Sequence, residues 1–320
     1  MIKRVMITGG NGLVGSAIRS LEKDYPNFEF ITRASNNNSF GDLTIQDNVD
    51  EMFGLCEPDY VIHCAASVGG IQKNLNEPVA QYEKNILMNT FVVQEAFRHD
   101  VKKLIAFSSV CALPDMFGDY SQASEADLHI APPPSPHYSY AMAKRMIDVQ
   151  IEAYGRQYKK NYMSLIPTNI FGENDNYNLI NGHVIPSLIH KFYNAHQNNA
   201  SVEIWGDGTP QREFIYSRDL AKVCLELLSR DDMMPQRLIV PGKELMIRDI
   251  VNYLQQIYEF DFKKEIEVKY NTDKPNGQMR RKTDGTLFNS LFPDFQYTDI
   301  YYALNQSVDF FLSEYPNVRL

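Results

Sequence analysis

The chain of 320 residues carries 31 Lys+Arg against 40 Asp+Glu, a formal net charge of -9, with 44% hydrophobic and 22% charged residues. That profile is of an ordinary soluble globular protein, long enough for one large α/β domain or two modest ones. The acidic balance excludes a charge-driven grip on nucleic acid or an anionic membrane, and no apolar run reaches about 18 residues and no signal peptide is present, so the protein is expected in the cytoplasm.

In chain order, strand-like runs at residues 4–7, 28–32, 60–64, 103–107 and 162–166 alternate with helical patterns at 13–23, 49–55, 79–99 and 140–158. Strands separated by helices of this length form βαβ units and a parallel sheet. Ala131-Pro132-Pro133-Pro134-Ser135-Pro136 reads as a loop, because proline lacks the amide hydrogen that a helix interior requires. Beyond residue 167 the alternation fades into Asn-, Asp- and Gly-rich stretches, which predicts a smaller lobe of loops and short elements. The expected fold is therefore α/β, a Rossmann-type doubly wound parallel sheet over residues 1–166. Residues 167–320 mainly form a C-terminal substrate-binding lobe, with some elements returning to the Rossmann domain.

Gly9, Gly12 and Gly15 follow the first strand and open a helix. The first glycine permits the tight turn, the second lets backbone approach a pyrophosphate, and the third packs helix against strand. At the tip of the second strand stands Arg33, where NAD-specific turns carry an acid, so the pattern points to the 2'-phosphate of NADP(H). Glu29 lies too early in that strand to reach the ribose.

Tyr140 and Lys144 are spaced to share one helix face, where an ammonium beside a phenol favours phenolate. A second such pair, Tyr270 and Lys274, reads as coincidence in a polar loop. Ser109 leaves the carboxyl end of the fourth strand, the end at which open α/β sheets bind ligands. The four cysteines, Cys56, Cys64, Cys111 and Cys224, show no metal-ligand spacing and are too sparse for a disulfide framework, so no metal is expected. His63 reads as a packing residue. The histidines other than His63 and His183 fall in loops or on polar faces.

Taken together with longer strings, these motifs make the chain similar to the extended short-chain dehydrogenase/reductase family. The strings are Thr8 to Gly15; Ala65-Ala66-Ser67-Val68-Gly69-Gly70-Ile71; Ser109-Val110-Cys111 with Pro114; and Tyr140 to Asp148. They continue through Pro167 to Gly172, Asp175-Asn176-Tyr177, Gly182-His183-Val184-Ile185-Pro186 and Trp205 to Phe214. Within that family the resemblance is to enzymes that epimerise C3 and C5 and reduce C4 of GDP-4-keto-6-deoxymannose, yielding GDP-L-fucose.

The resemblance implies a catalytic set of Ser109, Tyr140 and Lys144 for reduction, with Cys111 and His183 for epimerisation. For the cofactor it implies Gly9, Gly12, Leu13, Val14, Gly15, Arg33, Asp42, Leu43, Ala65, Tyr140, Lys144, Pro167, Asn169 and His183. For the GDP-linked 4-keto sugar it implies Asn169, Lys191, Trp205, Arg212 and Arg281. Lys191 stands where the family often has arginine, and residues 112–120 depart from the family's aromatic pattern, so a related GDP-4-keto sugar stays open. One alternative is a C4-reductase alone, acting for example on a GDP-4-keto-heptose. A noncatalytic dinucleotide-binding regulator is the other, opposed by the intact Ser109, Tyr140 and Lys144. The apolar residues Met142, Met146, Ile147 and Ile151, with the helix at 79–99, predict a homodimer through paired helices.

Overall fold

The computed structural model describes residues 2–32, 41–115, 122–274 and 276–320. Its first half is built from β1 (Lys3–Thr8), α1 (Leu13–Ser20), β2 (Phe28–Ile31), α2 (Gln46–Cys56), β3 (Tyr60–His63), α3 (Ile71–Asn76), α4 (Pro78–Arg98), β4 (Lys103–Phe107), β5 (Gln122–Ala123), α5 (Tyr138–Tyr158) and β6 (Asn161–Pro167). The second half adds β7 (Asn169–Phe171), α6 (Val184–Asn198), β8 (Val202–Trp205), β9 (Gln211–Tyr216), α7 (Ser217–Ser229), β10 (Arg237–Val240), β11 (Lys243–Met246), α8 (Ile247–Phe262), β12 (Val268–Asn271), β13 (Lys282–Thr283), α9 (Thr286–Leu291) and α10 (Ile300–Glu314).

Six parallel strands form the central sheet in the order β10-β6-β4-β3-β1-β2. Alternation along each strand feeds both faces: Val5, Ile7, Ile62 and Ile105 pack against α1 and α7, while Met6, Val61 and Leu104 pack against α2, α4 and α5. The chain passes from β2 on one side of β1 to β3 on the other, so the strand order reverses at β1. Ligand crevices in such sheets open outside the carboxyl ends of the strands at that reversal. In register, Thr8 faces His63, His63 faces Ala106, and Phe107 faces Leu165, so these strand ends share one edge.

The second lobe has its own apolar core, drawn from α6, α8 and α10 with the strands β7, β8 and β9. It contains helices of 15 to 16 residues rather than the short elements expected, because each helix carries an apolar stripe that local Asn and Gly content obscures. β10 and α7 belong to the central sheet and its helical layer. His190 also departs from expectation: it is buried on α6, with Nδ1 donating to the Tyr177 carbonyl at 2.8 Å and its ring packing on Phe311. Ile147 and Ile151 are buried within this single chain against α2 and α4, so they are not available to a partner. Among the described residues, no helix is long and apolar enough to cross a membrane.

Candidate active site

One crevice of about 1770 Å³ runs along the carboxyl edge of the sheet and between the two lobes. That exceeds the roughly 300–1,000 Å³ of a pocket for one small ligand, and leaves room for two. At one end lies the glycine turn. Gly9 has φ +71, and a Cβ there would come within 2.8 Å of the Ala65 amide nitrogen; one on Gly15 would lie 2.4 Å from the Gly9 carbonyl oxygen. The turn and α1 therefore pack backbone on backbone. A Cβ on Gly12 would meet only the Gly9 oxygen, at 3.4 Å, so its open side faces the crevice at the N-terminus of α1. A bare backbone cradle at a helix N-terminus fits a pyrophosphate. Leu13, Val14, Asp42, Leu43, Ala65 and Pro167 line the same crevice, whereas Arg33 lies outside the described residues.

Beneath this turn is a buried polar relay. Thr8 Oγ1 and His63 Nδ1 are 2.7 Å apart, and His63 Nε2 is 3.1 Å from Asn89 Oδ1. Burial, reinforced by the Lys144 charge, pulls the imidazole down to about 3, so His63 is a neutral hydrogen-bonding post rather than a simple packing residue.

The central wall carries Ser109, Tyr140 and Lys144. Ser109 is in extended backbone just past β4, and its Oγ accepts from the Cys111 amide at 3.2 Å, which caps the short turn Val110–Ala112. Lys144 is fully buried one turn beyond Tyr140 on α5, with Nζ donating to the Phe107 carbonyl at 2.7 Å and lying 5.9 Å from the Tyr140 ring centroid. Burial lowers the ammonium to about 8, with Cys64 opposing. Burial raises the Tyr140 phenol, the neighbouring Cys111 adds to this, and a hydrogen bond with Ser109 opposes it. The phenol is thus raised, not lowered as its spacing to Lys144 led one to expect, because desolvation dominates. Such a phenol is a held proton donor, beside a serine hydroxyl, for an oxygen that gains charge.

Cys111 and His183 also line the crevice. The cysteine turn is anchored by the buried Arg145, whose Nε donates to the Ala112 carbonyl at 2.6 Å. His183 caps the start of α6, and its loop is docked by the Gly70 amide donating to the Asn181 carbonyl at 2.8 Å. The Val-Gly-Gly-Ile string therefore serves as the seat for the histidine loop.

At the far end stand Asn169, Lys191, Trp205, Arg212 and Arg281. Asn169 Nδ2 donates to the Glu213 carbonyl at 2.8 Å, and Arg281 Nη2 donates to the Leu113 carbonyl at 3.1 Å, tying the second lobe to the cysteine turn. The Trp205 indole is exposed, with Lys191 Nζ at 5.9 Å and Lys274 Nζ at 5.6 Å from its ring. Burial lowers the Lys191 ammonium. Lys274, read as incidental from its spacing to Tyr270, instead meets this tryptophan. Apart from Arg33, every residue singled out from sequence for cofactor, substrate or chemistry lines the one crevice.

Residues 5–240 match the NAD dependent epimerase/dehydratase family. The GDP-L-fucose synthase of Dictyostelium discoideum is 36% identical, with 99% of this chain and 98% of that protein aligned. The chain belongs to the GDP-L-fucose synthase family. A probable GDP-L-fucose synthase of Drosophila melanogaster is 33% identical over 99% of this chain and 100% of its own length. Among solved structures, a GDP-L-fucose synthetase from Naegleria fowleri bound to NADP superposes with a TM-score of 0.90 at 32% identity, covering 99% of this chain and 95% of that one. Membership in the GDP-L-fucose synthase family extends the resemblance carried by the sequence strings over nearly the whole chain.

Sequence reasoning assigned no role to Asp175, His137, Asn74 or Arg319, all of which line the crevice. Asp175 was visible inside a family string, but its neighbours come from a loop and from the far end of the chain. Outside the crevice, Asp50, Glu95 and His99 bring possible ligand atoms within 4.8 Å of one another, yet Glu95 is already paired with Arg98 at 2.8 Å.

Proposed function

We propose that this chain is an NADPH-dependent enzyme that epimerises C3 and C5 of GDP-4-keto-6-deoxymannose and reduces its C4 ketone, forming GDP-L-fucose. The observation that carries the reading is the single crevice joining the glycine turn to Ser109, Tyr140, Lys144, Cys111 and His183 and then to the cationic end at Lys191, Arg212 and Arg281. The family relatives named for this activity, and the relative bound to NADP, support the same substrate and cofactor.

NADPH supplies a hydride when bound. The turn shaped by Gly9 and Gly15 and open at Gly12 would hold its pyrophosphate, Arg33 its 2'-phosphate, Asp42, Leu43 and Ala65 the adenosine side, and Lys144, Pro167 and Asn169 the nicotinamide side. Ser109 donates to the C4 carbonyl oxygen, and Tyr140 gives that oxygen its proton. For epimerisation, the Cys111 thiolate removes the proton from the carbon beside the ketone, and the C–H electrons move onto the C4 oxygen, where Ser109 and Tyr140 hold the enolate. His183 returns a proton to the opposite face of that carbon, and both groups reset against water. Arg212 and Arg281 take the diphosphate, and the Trp205 face packs on the nucleotide or sugar.

The same reading divides the labour between residues 1–166, for the cofactor, and mainly 167–320, for the sugar nucleotide, in a cytoplasmic enzyme. It pairs two copies through α4 and α5, on which Val79, Tyr82 and Val149 remain exposed; a monomeric mass by light scattering contradicts that pairing. The activity is tested by mixing the protein with NADPH and GDP-4-keto-6-deoxymannose. Oxidation of NADPH that requires the keto sugar supports the assignment, and none contradicts it.

A further inference from the structure

Asp175 is almost fully buried in the loop that precedes α6, although it carries a carboxylate and borders the crevice. One oxygen, Oδ1, accepts from the Asn176 amide at 2.7 Å and lies 4.0 Å from Nδ1 of His183. The other, Oδ2, is buried with no hydrogen-bond partner among the described residues. A buried carboxylate with an open acceptor is costly unless something cationic or hydrogen-donating approaches it. The imidazole is the side chain at ion-pair distance, and it is half-exposed toward the crevice.

We propose that Asp175 is a positioning residue for His183, engaging its Nδ1 edge so that Nε2 faces the sugar and the ring is held as a proton donor. The inference rests on the epimerase reading above and adds to it a residue that acts through the histidine. A carboxylate behind an imidazole fixes ring orientation and stabilises imidazolium. Each protonation by His183 breaks an N–H bond and forms a C–H bond, and water restores the N–H.

The groups facing Asp175 are His183 at the start of α6, Tyr177 in its own loop and Arg319 in the C-terminal segment. Burial raises the Asp175 carboxyl to about 6, with His183, the Asn176 amide and Arg319 opposing the rise. The carboxylate that supports His183 is accordingly lost as pH falls through about 6.

The test follows incorporation of solvent deuterium into C3 and C5 of GDP-4-keto-6-deoxymannose across pH, with folding of each variant checked by thermal melting. In Asp175→Asn, exchange should fall by about tenfold or more at neutral pH, and the decline near pH 6 expected of the wild type should disappear. In a His183→Asn background, adding Asp175→Asn should cost nothing further, because a residue acting only through the histidine has no independent effect. A purely structural role would leave the pH profile in place and add its loss to that of His183→Asn. Full exchange by Asp175→Asn with the wild-type pH profile, or additive losses in the double variant, overturns the inference alone. Absence of exchange by the wild type overturns the epimerase reading and the inference with it. If Asp175→Asn does not fold, Asp175→Ser takes its place in the same comparisons with wild type and with His183→Asn, and the same outcomes support or overturn the assignment.

Discussion

Lys144 donates from Nζ to the carbonyl of Phe107 at 2.7 Å, fixing a buried ammonium to the end of the strand that delivers Ser109. Helix α5 and strand β4 are thereby locked at the point where the phenol and the hydroxyl converge. A second contact, Ser108 Oγ to the Lys144 carbonyl at 3.0 Å, closes the same joint from the other side. Tyr140 and Lys144 are held on a helix, and Ser109 stands directly after a strand tied to that helix, which favours a preorganised hydrogen-bonding site.

Tyr140→Phe removes the proton donor while leaving this joint intact. Turnover of NADPH with the keto sugar should fall by about two to four orders of magnitude. Binding of NADPH, followed by fluorescence, should persist. Near-normal turnover contradicts the role of Tyr140.

Gly15→Ala would put a Cβ 2.4 Å from the Gly9 carbonyl oxygen and 2.6 Å from the Gly10 Cα, both backbone atoms that cannot step aside without opening the turn. The expected cost is about 1–3 kcal/mol of overpacking. It should appear as a weaker affinity for NADPH and a lower melting temperature. An unchanged melt and unchanged affinity count against the cradle.

Arg33→Ala addresses the choice between the two nicotinamide cofactors. Loss of a charge-assisted contact to the 2'-phosphate should weaken NADPH by about 1.5–3 kcal/mol and leave NADH nearly unchanged. Titration calorimetry with both cofactors reads the difference directly; equal losses contradict the assignment.

Glu213 gives a pH prediction with a definite sign. It is 4% exposed, and burial raises its carboxyl from 4.5 to about 7 against hydrogen bonds from the Thr283 amide and hydroxyl. The folded protein holds a proton that the unfolded chain releases, so the stability linked to this group is full below pH 4.5 and is lost as pH rises through about 7. Glu213→Gln removes that titration. Relative to wild type, the variant should gain on the order of 3 kcal/mol in unfolding free energy between pH 4.5 and 8. Urea melts at the two pH values measure it, and a constant difference contradicts the reading.

The cofactor half of the fold was legible because its inner strands are buried on both faces and the first helix follows a recognisable glycine turn, so period and punctuation agree. The second half was less so. Pairings such as β13 with β5, two residues each, join positions about 160 apart and depend on Glu213 and Arg281 rather than on any local pattern. Periodicity marked Ile147 and Ile151 as apolar without distinguishing burial inside one chain from burial between two. The crevice residues were found from their motifs, while Asp175 gains its meaning only when the loop returns His183 to it, eight positions later.

The central claim is tested most directly by NMR of the wild-type product made in D₂O from GDP-4-keto-6-deoxymannose and NADPH. The account predicts GDP-L-fucose, with solvent deuterium at C3 and C5 and the NADPH hydride at C4, and Cys111→Ser should suppress the deuterium at C3 and C5 far more than the hydride transfer. A reduced GDP-sugar whose C3 and C5 retain their original configuration and carry no deuterium would contradict it.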